Sequence, residues 1–393
     1  MGNKEKYYVF GAHSRGWTFY EYMKMIRPQC EMMGFIYDND EVNPSEIDGF
    51  PIVKVSYPIE CDDSDANARK FVEYDVETTR LDFSAKVFIA TRGNYHSEVR
   101  ERLSGLGFKD IEYVTPELDI FLRNQYVERK LRENGKDFCK INVDDDSRVG
   151  TAKKNRESWK ACVYIAKTPA DDDFEVPVQL RPYESIIQAG CVLTDIRLPE
   201  AEFFDNEVKT PEGSEISYRN TQCCELTALY WIWKNAMQDI VGLEHWRRRF
   251  LLPDNWTELM EQDGFDAILP VPLCVMPSLE ENFKGRHVPK VWDTSMEILR
   301  EIHPDEYERA EEYFRDNTLY SPCNMLIARK EVFNDYCAWM FPVILELNDR
   351  IGKLADKYQN RYPGFVSERL LTFFFNSRLN RYRVAYSDKI FLR

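Results

Sequence analysis

The sequence predicts an α/β protein of two domains, the first built on a parallel sheet. Short apolar runs alternate with helical stretches along the chain, the pattern of strand–helix–strand units. A length of 393 residues with 44% apolar content suffices for two cores. The apolar run Asp239–Leu243 leads directly into a charged segment, Glu244 to Arg249, and open α/β sheets keep their ligands beyond the carboxyl ends of strands.

In the first half, Lys6–Phe10 reads as a strand running into Gly11-Ala12-His13-Ser14-Arg15-Gly16, with a helix over Trp17–Ile26. Strands follow at Phe35–Tyr37, Pro51–Val55, Lys86–Ala90 and Ile111–Val114, with a helix at His96–Leu106. This alternation predicts a sheet wound in the Rossmann manner over residues 1–118. The first turn keeps two glycines of a dinucleotide fingerprint, Gly11 and Gly16, and lacks the middle one. Asp38 ends the second strand where a ribose-binding acid would sit. A polar helix over 116–137 opens a helical linker, residues 119–158, broken at Asp144–Gly150. Lys153, Lys154, Arg156 and Lys160 form a basic cluster, read as a solvated helix face, with anionic lipid head groups as the sharper alternative.

The second domain, 159–393, opens with the strand Ala161–Ala166, closed by Lys167-Thr168-Pro169. Asn220 or Thr221 caps an apolar helix ending at Asn235, with Glu225 complementing its dipole. Asp239–Leu243 is a buried strand, followed by strands at Ala267–Val271 and Ser321–Ile327. Helices are expected at Asp293–His303, Asp305–Phe314, Lys330–Lys357 and Val366–Asn376, and a loop carries Arg286 and His287. Strands at Arg383–Tyr386 and Lys389–Leu392 close the chain.

Composition narrows the function. Against 52 basic residues stand 67 acidic ones, net −15, which argues against nucleic acid as the main partner. Ten cysteines show neither a CxxC pair nor zinc spacing, fitting reduced thiols in the cytoplasm. No signal peptide and no membrane-length apolar run is seen. The segment His245-Trp246-Arg247-Arg248-Arg249 reads as an anion site, since guanidinium forks match phosphate oxygens.

Four ordered motifs then carry a resemblance. Cys224–Asn235 (CELTALYWIWKN), Gly242–Phe250 (GLEHWRRRF), Asn324–Ile327 (NMLI) and Gly364–Leu370 (GFVSERL) resemble the bacterial capsular and exopolysaccharide glycosyltransferase-like family, long catalogued as a domain of unknown function. The resemblance spans about residues 160–390. Three positions depart from the family pattern: Glu244 stands for Cys, Trp246 for Tyr and Arg249 for Tyr. The order YVFGAHSRG, GFIYDND, GFPIV, KVFIA likewise resembles the UDP-sugar-binding domain of bacterial sugar acetyltransferases, with the glycine loop altered by His13 and Arg15.

The resemblance implies a GT-A-like glycosyltransferase domain. It would take a nucleotide sugar, most simply UDP-linked, and extend a lipid-linked or oligosaccharide acceptor of capsule, exopolysaccharide or O-antigen at the inner face of the membrane. Glu368 is the expected catalytic base, with His245 beside it in the catalytic set. Arg247, Arg248 and Lys167 would hold the donor diphosphate. Trp246, His287, Asn324 and Arg369 would contact sugar or acceptor, and Gly11, His13, Gly16 and Asp38 a nucleotide in the first domain. No Asp-x-Asp stands at a strand end of the second domain, so the arginines are expected to replace a metal, a divalent cation (manganese or magnesium) being the alternative. Two other readings stand: a non-catalytic nucleotide-sugar-binding or scaffold protein of the same pathway, and an NAD-dependent sugar-modifying enzyme using residues 1–118.

Overall fold

The computed structural model describes residues 4–40, 43–56, 80–91, 95–141, 160–174 and 178–392. The expected break at Asp144–Gly150 and the cluster residues Lys153, Lys154 and Arg156 lie outside them. The chain divides into two compact units, Met1–Glu133 with Cys274–Met276, and Asn134–Leu273 with Pro277–Arg393.

The first unit contains β1 (Lys6–Phe10), α1 (Ser14–Ile26), β2 (Glu31–Tyr37), β3 (Glu46–Ile47), β4 (Phe50–Lys54), β5 (Lys86–Ile89), α2 (His96–Leu106), β6 (Ile111–Tyr113) and α3 (Pro116–Glu133). Its sheet runs β3–β4–β2–β1–β5–β6, parallel except for the β3–β4 pair. The order reverses at β1, the switch point of a doubly wound sheet. There Gly11 has φ +113, and a Cβ on Gly16 would lie 1.8 Å from the Gly11 carbonyl oxygen. Both glycines are thus required by a helix packed hard against the strand end. Helix α1 starts at Ser14, earlier than the apolar pattern suggests, with His13 exposed at its N-cap position. Asp38 is engaged: its carboxylate accepts from Arg102 Nε of α2 at 2.9 Å.

The second unit opens with β7 (Ala161–Lys167), β8 (Glu184–Gln188) and β9 (Phe203–Phe204). Next come α4 (Asn220–Cys223), α5 (Leu226–Asn235), β10 (Ile240–His245), β11 (Arg248–Phe250), α6 (Trp256–Gln262) and β12 (Ala267–Pro270). Two-residue strands β13 (Leu273–Cys274, its Cys274 counted with the first unit) and β14 (Leu319–Tyr320) flank α7 (Leu279–Arg286), α8 (Pro289–Ile302) and α9 (Pro304–Asp316). The chain closes with β15 (Leu326–Arg329), α10 (Lys330–Ile351), α11 (Tyr362–Asn376), β16 (Val384–Ser387) and β17 (Lys389–Phe391). The main sheet runs β16–β12–β15–β10–β7–β8–β9, with β15 antiparallel to both neighbours and the other pairs parallel. Val163, Ile240, Phe250, Trp256, Ile268 and Ile327 share one core cluster. Gly242 lets β10 and β15 approach closely: a Cβ there would lie 2.6 Å from Ile327 Cγ1.

Three elements differ from the sequence expectation. The helix over 220–235 is two helices, because Cys224 takes φ +47 between them. The loop expected around Arg286 begins as helix α7, whose cap Ser278 accepts the Glu281 N–H at 3.1 Å. The charged strand end is a tight hairpin: His245 pairs with Arg248, leaving Trp246 and Arg247 as its turn.

That hairpin separates the three arginines. Successive strand residues point to opposite faces. Arg249 therefore turns into the core, where its Nη1 lies 3.7 Å from both Glu184 and Glu244. Glu244 is fully buried, and its Oε1 accepts the Phe250 N–H at 2.6 Å. Burial, reinforced by Glu184, pushes the Glu244 carboxyl up to about 8. The unfolded chain holds the ordinary carboxylate value, so the folded state binds the extra proton between the two. The stabilisation from protonated Glu244 is complete below about 4.5 and fades as pH rises towards 8. Urea denaturation at pH 5 and pH 8 is expected to show this loss, and Glu244→Gln to flatten it. An unchanged pH slope in the variant would refute the assignment.

Candidate active site

Four separate stretches of sequence meet at the peptide Cys323–Asn324. Both residues have left-handed backbone, φ +75 and +51. Such conformations cost roughly 1–3 kcal/mol in non-glycine residues and persist where surrounding contacts fix them. The contacts are specific. The Cys323 N–H donates to Glu368 Oε1 at 2.5 Å, and the Cys323 carbonyl accepts from His245 Nε2 at 2.5 Å. Asn324 Nδ2 donates to Glu225 Oε1 at 2.8 Å and to the Gly364 carbonyl at 3.1 Å. Asn324 Oδ1 accepts from the Ser367 hydroxyl at 2.6 Å. Residues from the start of α5, from β10, from the approach to β15 and from the first turns of α11 are thereby locked together.

Around this junction lies a cleft of about 170 Å³, lined by Cys224, Glu225, Arg248, Cys323, Tyr358, Arg361, Gly364, Phe365 and Glu368. Each element has a reason to present its residue. The bend at Cys224 frees Glu225 from capping its own helix and sends its carboxylate to Asn324. Phe365 and Glu368 are three apart on α11 and so share a face. Arg248 emerges from β11 on the face opposite Arg249. Arg361, at the rim, donates from Nε to Cys224 Sγ at 3.2 Å. Neither Arg248 nor Arg361 makes an ion pair among the described residues.

The electrostatics set protonation states. Burial raises the Glu368 carboxyl above the usual carboxylate range, while Arg369, at 2.9 Å from Oε2, and the Cys323 N–H pull the other way. Burial holds His245 below the ordinary imidazole value, so the ring is neutral near pH 7. Its Nε2 carries the proton given to the Cys323 carbonyl. The Cys224 and Cys323 thiols are both pushed up to about 11 by burial and stay protonated.

The sequence-nominated residues fall into separate places. Glu368 and Arg248 line the cleft. His245, Asn324 and Arg369 stand behind it. Asn324 spends its amide inside the protein, and Arg369 is buried with its guanidinium 4.3 Å from the Tyr320 ring centre. His287 packs on Phe365 with ring centres 4.1 Å apart, and burial, helped by Arg369, holds it near pKa 4. Lys167, Trp246 and Arg247 gather elsewhere, at the end of β7. Lys167 reaches Glu200 at 2.6 Å and Asp173 at 3.4 Å, and lies 3.8 Å over the Trp246 ring. Trp246 stacks on Phe174 at 4.4 Å, and Arg247 pairs with Asp172 at 3.4 Å. Sequence reasoning missed Arg361, Tyr358 and Phe365 as cleft residues and gave Glu225 only a dipole role. The signal for Glu225 was its place inside the CELTALYWIWKN motif.

Among the described residues no three His, Cys, Asp or Glu side chains converge as metal ligands. Of the acidic run 171–173, Asp171 accepts from Thr168, and Asp172 and Asp173 pair with Arg247 and Lys167. Nor, among the described residues, is any helix long and apolar enough to cross a membrane.

A family model described as domain of unknown function (DUF4422) matches residues 183–379. The fold is similar to that of the apo structure of the WbbM bifunctional glycosyltransferase, with a TM-score of 0.50 and 21% identity. That likeness covers 59% of this chain and 45% of the other, so the chain spans less than half of that protein's length. No curated protein matches. The α/β architecture with parallel-sheet cores is thus one found in a glycosyltransferase.

Proposed function

The chain belongs to the DUF4422 family, and from that premise we propose that it is a glycosyltransferase working at the cleft around Cys323–Asn324. The observation that carries the reading is the meeting of all four motifs there, at the carboxyl end of β10. A carboxylate of raised pKa and two guanidinium groups that make no ion pair among the described residues face one small space. That is the equipment for moving a sugar from a nucleotide diphosphate, UDP in our reading, to a hydroxyl of a lipid-linked capsule, exopolysaccharide or O-antigen glycan.

In the proposed step the acceptor hydroxyl attacks the anomeric carbon while its proton passes to Glu368. The new carbon–oxygen bond forms as the bond to the β-phosphate breaks, and the electron pair leaves with the nucleoside diphosphate. Arg248 and Arg361 neutralise that charge by charge-assisted hydrogen bonds. Arg369 and the Cys323 N–H hold the Glu368 carboxylate in place, and neutral His245 fixes the peptide that carries this N–H. The two core departures from the family pattern, Glu244 and Arg249, are buried against each other and do not line the cleft. They give no support to a scaffold role. The nicotinamide alternative needs Asp38 for a ribose, and Arg102 already holds it.

Calorimetric titration of UDP into the full chain tests the reading. Arg248→Ala should weaken binding by roughly 10- to 100-fold, the worth of one hydrogen-bonded charge. Arg247→Ala, whose side chain serves Asp172, should leave it unchanged. Absence of UDP binding by the parent, or an effect confined to Arg247→Ala, would overturn the proposal.

A further inference from the structure

Beside the Glu368 carboxylate the cleft has an aromatic wall that the transfer step just described does not use. Tyr358 is 51% exposed, an unusual state for a large ring packed on others. Its ring centre lies 5.0 Å from Phe365 and 6.0 Å from His287, and Phe365 and His287 stack at 4.1 Å with planes 21° apart. Tyr358 and Phe365 line the cleft while His287 backs them.

The wall is held in place before any ligand arrives. His287 Nδ1 lies 3.2 Å from Gln359 Oε1, and Gln359 Nε2 donates to the Arg286 carbonyl at 3.1 Å. The Gln359 N–H donates to Asp356 at 2.7 Å, and Asn360 accepts the Leu354 N–H at 2.8 Å. With His287 held near pKa 4, its ring is uncharged at neutral pH. The Tyr358 hydroxyl has no hydrogen-bond partner among the described residues. A rigid, neutral, half-open ring surface flanked by Arg361, Glu225 and Glu368 is chemically suited to a pyranose. The apolar C–H face of the sugar covers the rings, and its hydroxyls reach the charged groups.

Resting on the reading of this cleft as a transferase centre, we infer that Tyr358 and Phe365 form the acceptor-sugar platform. The acceptor terminus is then a hexopyranose that presents an apolar C–H face. Position selects the acceptor over the nucleobase. Phe365 stands one helical turn before Glu368, so a ring stacked there brings its hydroxyl to the base. A nucleobase is separated from the reacting carbon by a ribose and two phosphates, and belongs farther from Glu368.

The test uses the full chain saturated with UDP and a panel of methyl glycosides of glucose, galactose, mannose and N-acetylglucosamine. Saturation-transfer NMR should single out at least one glycoside, with the strongest signals from protons on one ring face. Tyr358→Ala should weaken that binding about tenfold, and Tyr358→Phe should preserve it. UDP affinity should be the same in parent and both variants. Binding of no glycoside, or binding that survives Tyr358→Ala, overturns the platform. Loss of UDP affinity in Tyr358→Ala would assign the ring to the nucleobase and overturn it equally. Failure of the parent to bind UDP strikes the transferase reading, which the glycoside contrast measures separately.

Discussion

Glu368→Gln is expected to lower turnover by roughly 10²- to 10⁴-fold, the usual contribution of a positioned general base. The substitution changes one atom and keeps the side-chain volume. Its amide oxygen can still accept the Cys323 N–H, so the left-handed Cys323–Asn324 peptide keeps its anchor. What is lost is the capacity to take a proton, together with the Oε2 acceptor of Arg369 Nη1. UDP binding, which rests on Arg248 and Arg361, should be unaffected. The same carboxyl fixes the acid limb of the pH profile. Because burial raises it, the ionised base is lost at a higher pH than for an ordinary glutamate, and activity falls as pH drops through that raised value. Initial-rate measurements across pH, with calorimetry on the variant, check both statements. Unchanged turnover would remove Glu368 from the mechanism.

The second large effect concerns stability. Arg249→Ala is expected to cost about 3–5 kcal/mol, the penalty for breaking a buried pair from one side. Arg249 is 3% exposed, and its guanidinium is the nearest cation to both Glu184 and Glu244 at 3.7 Å. Without it Glu184, itself buried, loses its counter-ion, and the hairpin of β10 and β11 loses the group that fills its underside. Urea denaturation followed by tryptophan fluorescence measures the loss. Arg248→Ala, one residue earlier on the opposite face, serves as control and should shift the midpoint little. Equal midpoints for parent and Arg249→Ala would show that the cluster contributes nothing.

The contrast between neighbours 248 and 249 shows what could be read from sequence. Periodicity gave the strands Lys6–Phe10, Lys86–Ala90 and Ala161–Ala166, each within one residue of the observed bounds, and the α/β class, because burial of alternating strands and helices writes itself into local composition. It could not reveal that two residues, Trp246 and Arg247, close a hairpin, which turns a run of three arginines into one turn residue, one cleft residue and one core residue. Asn324 illustrates a second limit. Its type suggested contact with sugar hydroxyls, but its partners Glu225, Gly364 and Ser367 stand 40 to 99 positions away in sequence. Saturation of an amide is a long-range property. Arg361 and Tyr358 sit in a polar connection between two helices, where residue type alone does not separate a cleft wall from a solvated turn.

The buried triad of Glu184, Glu244 and Arg249 also bears on how such a chain can change over generations. Arg249 altered alone strands the Glu184 charge inside the sheet, so a step away from the triad through that residue passes through a weakened protein. In the family pattern that this chain resembles, positions 244 and 249 hold an uncharged pair, Cys and Tyr. The exchange of both for Glu and Arg is then better counted as one event than as two. Across relatives, an arginine at 249 would be inherited together with its carboxyl partners at 184 and 244, while the cleft on the opposite face of β11 is free to keep its own history.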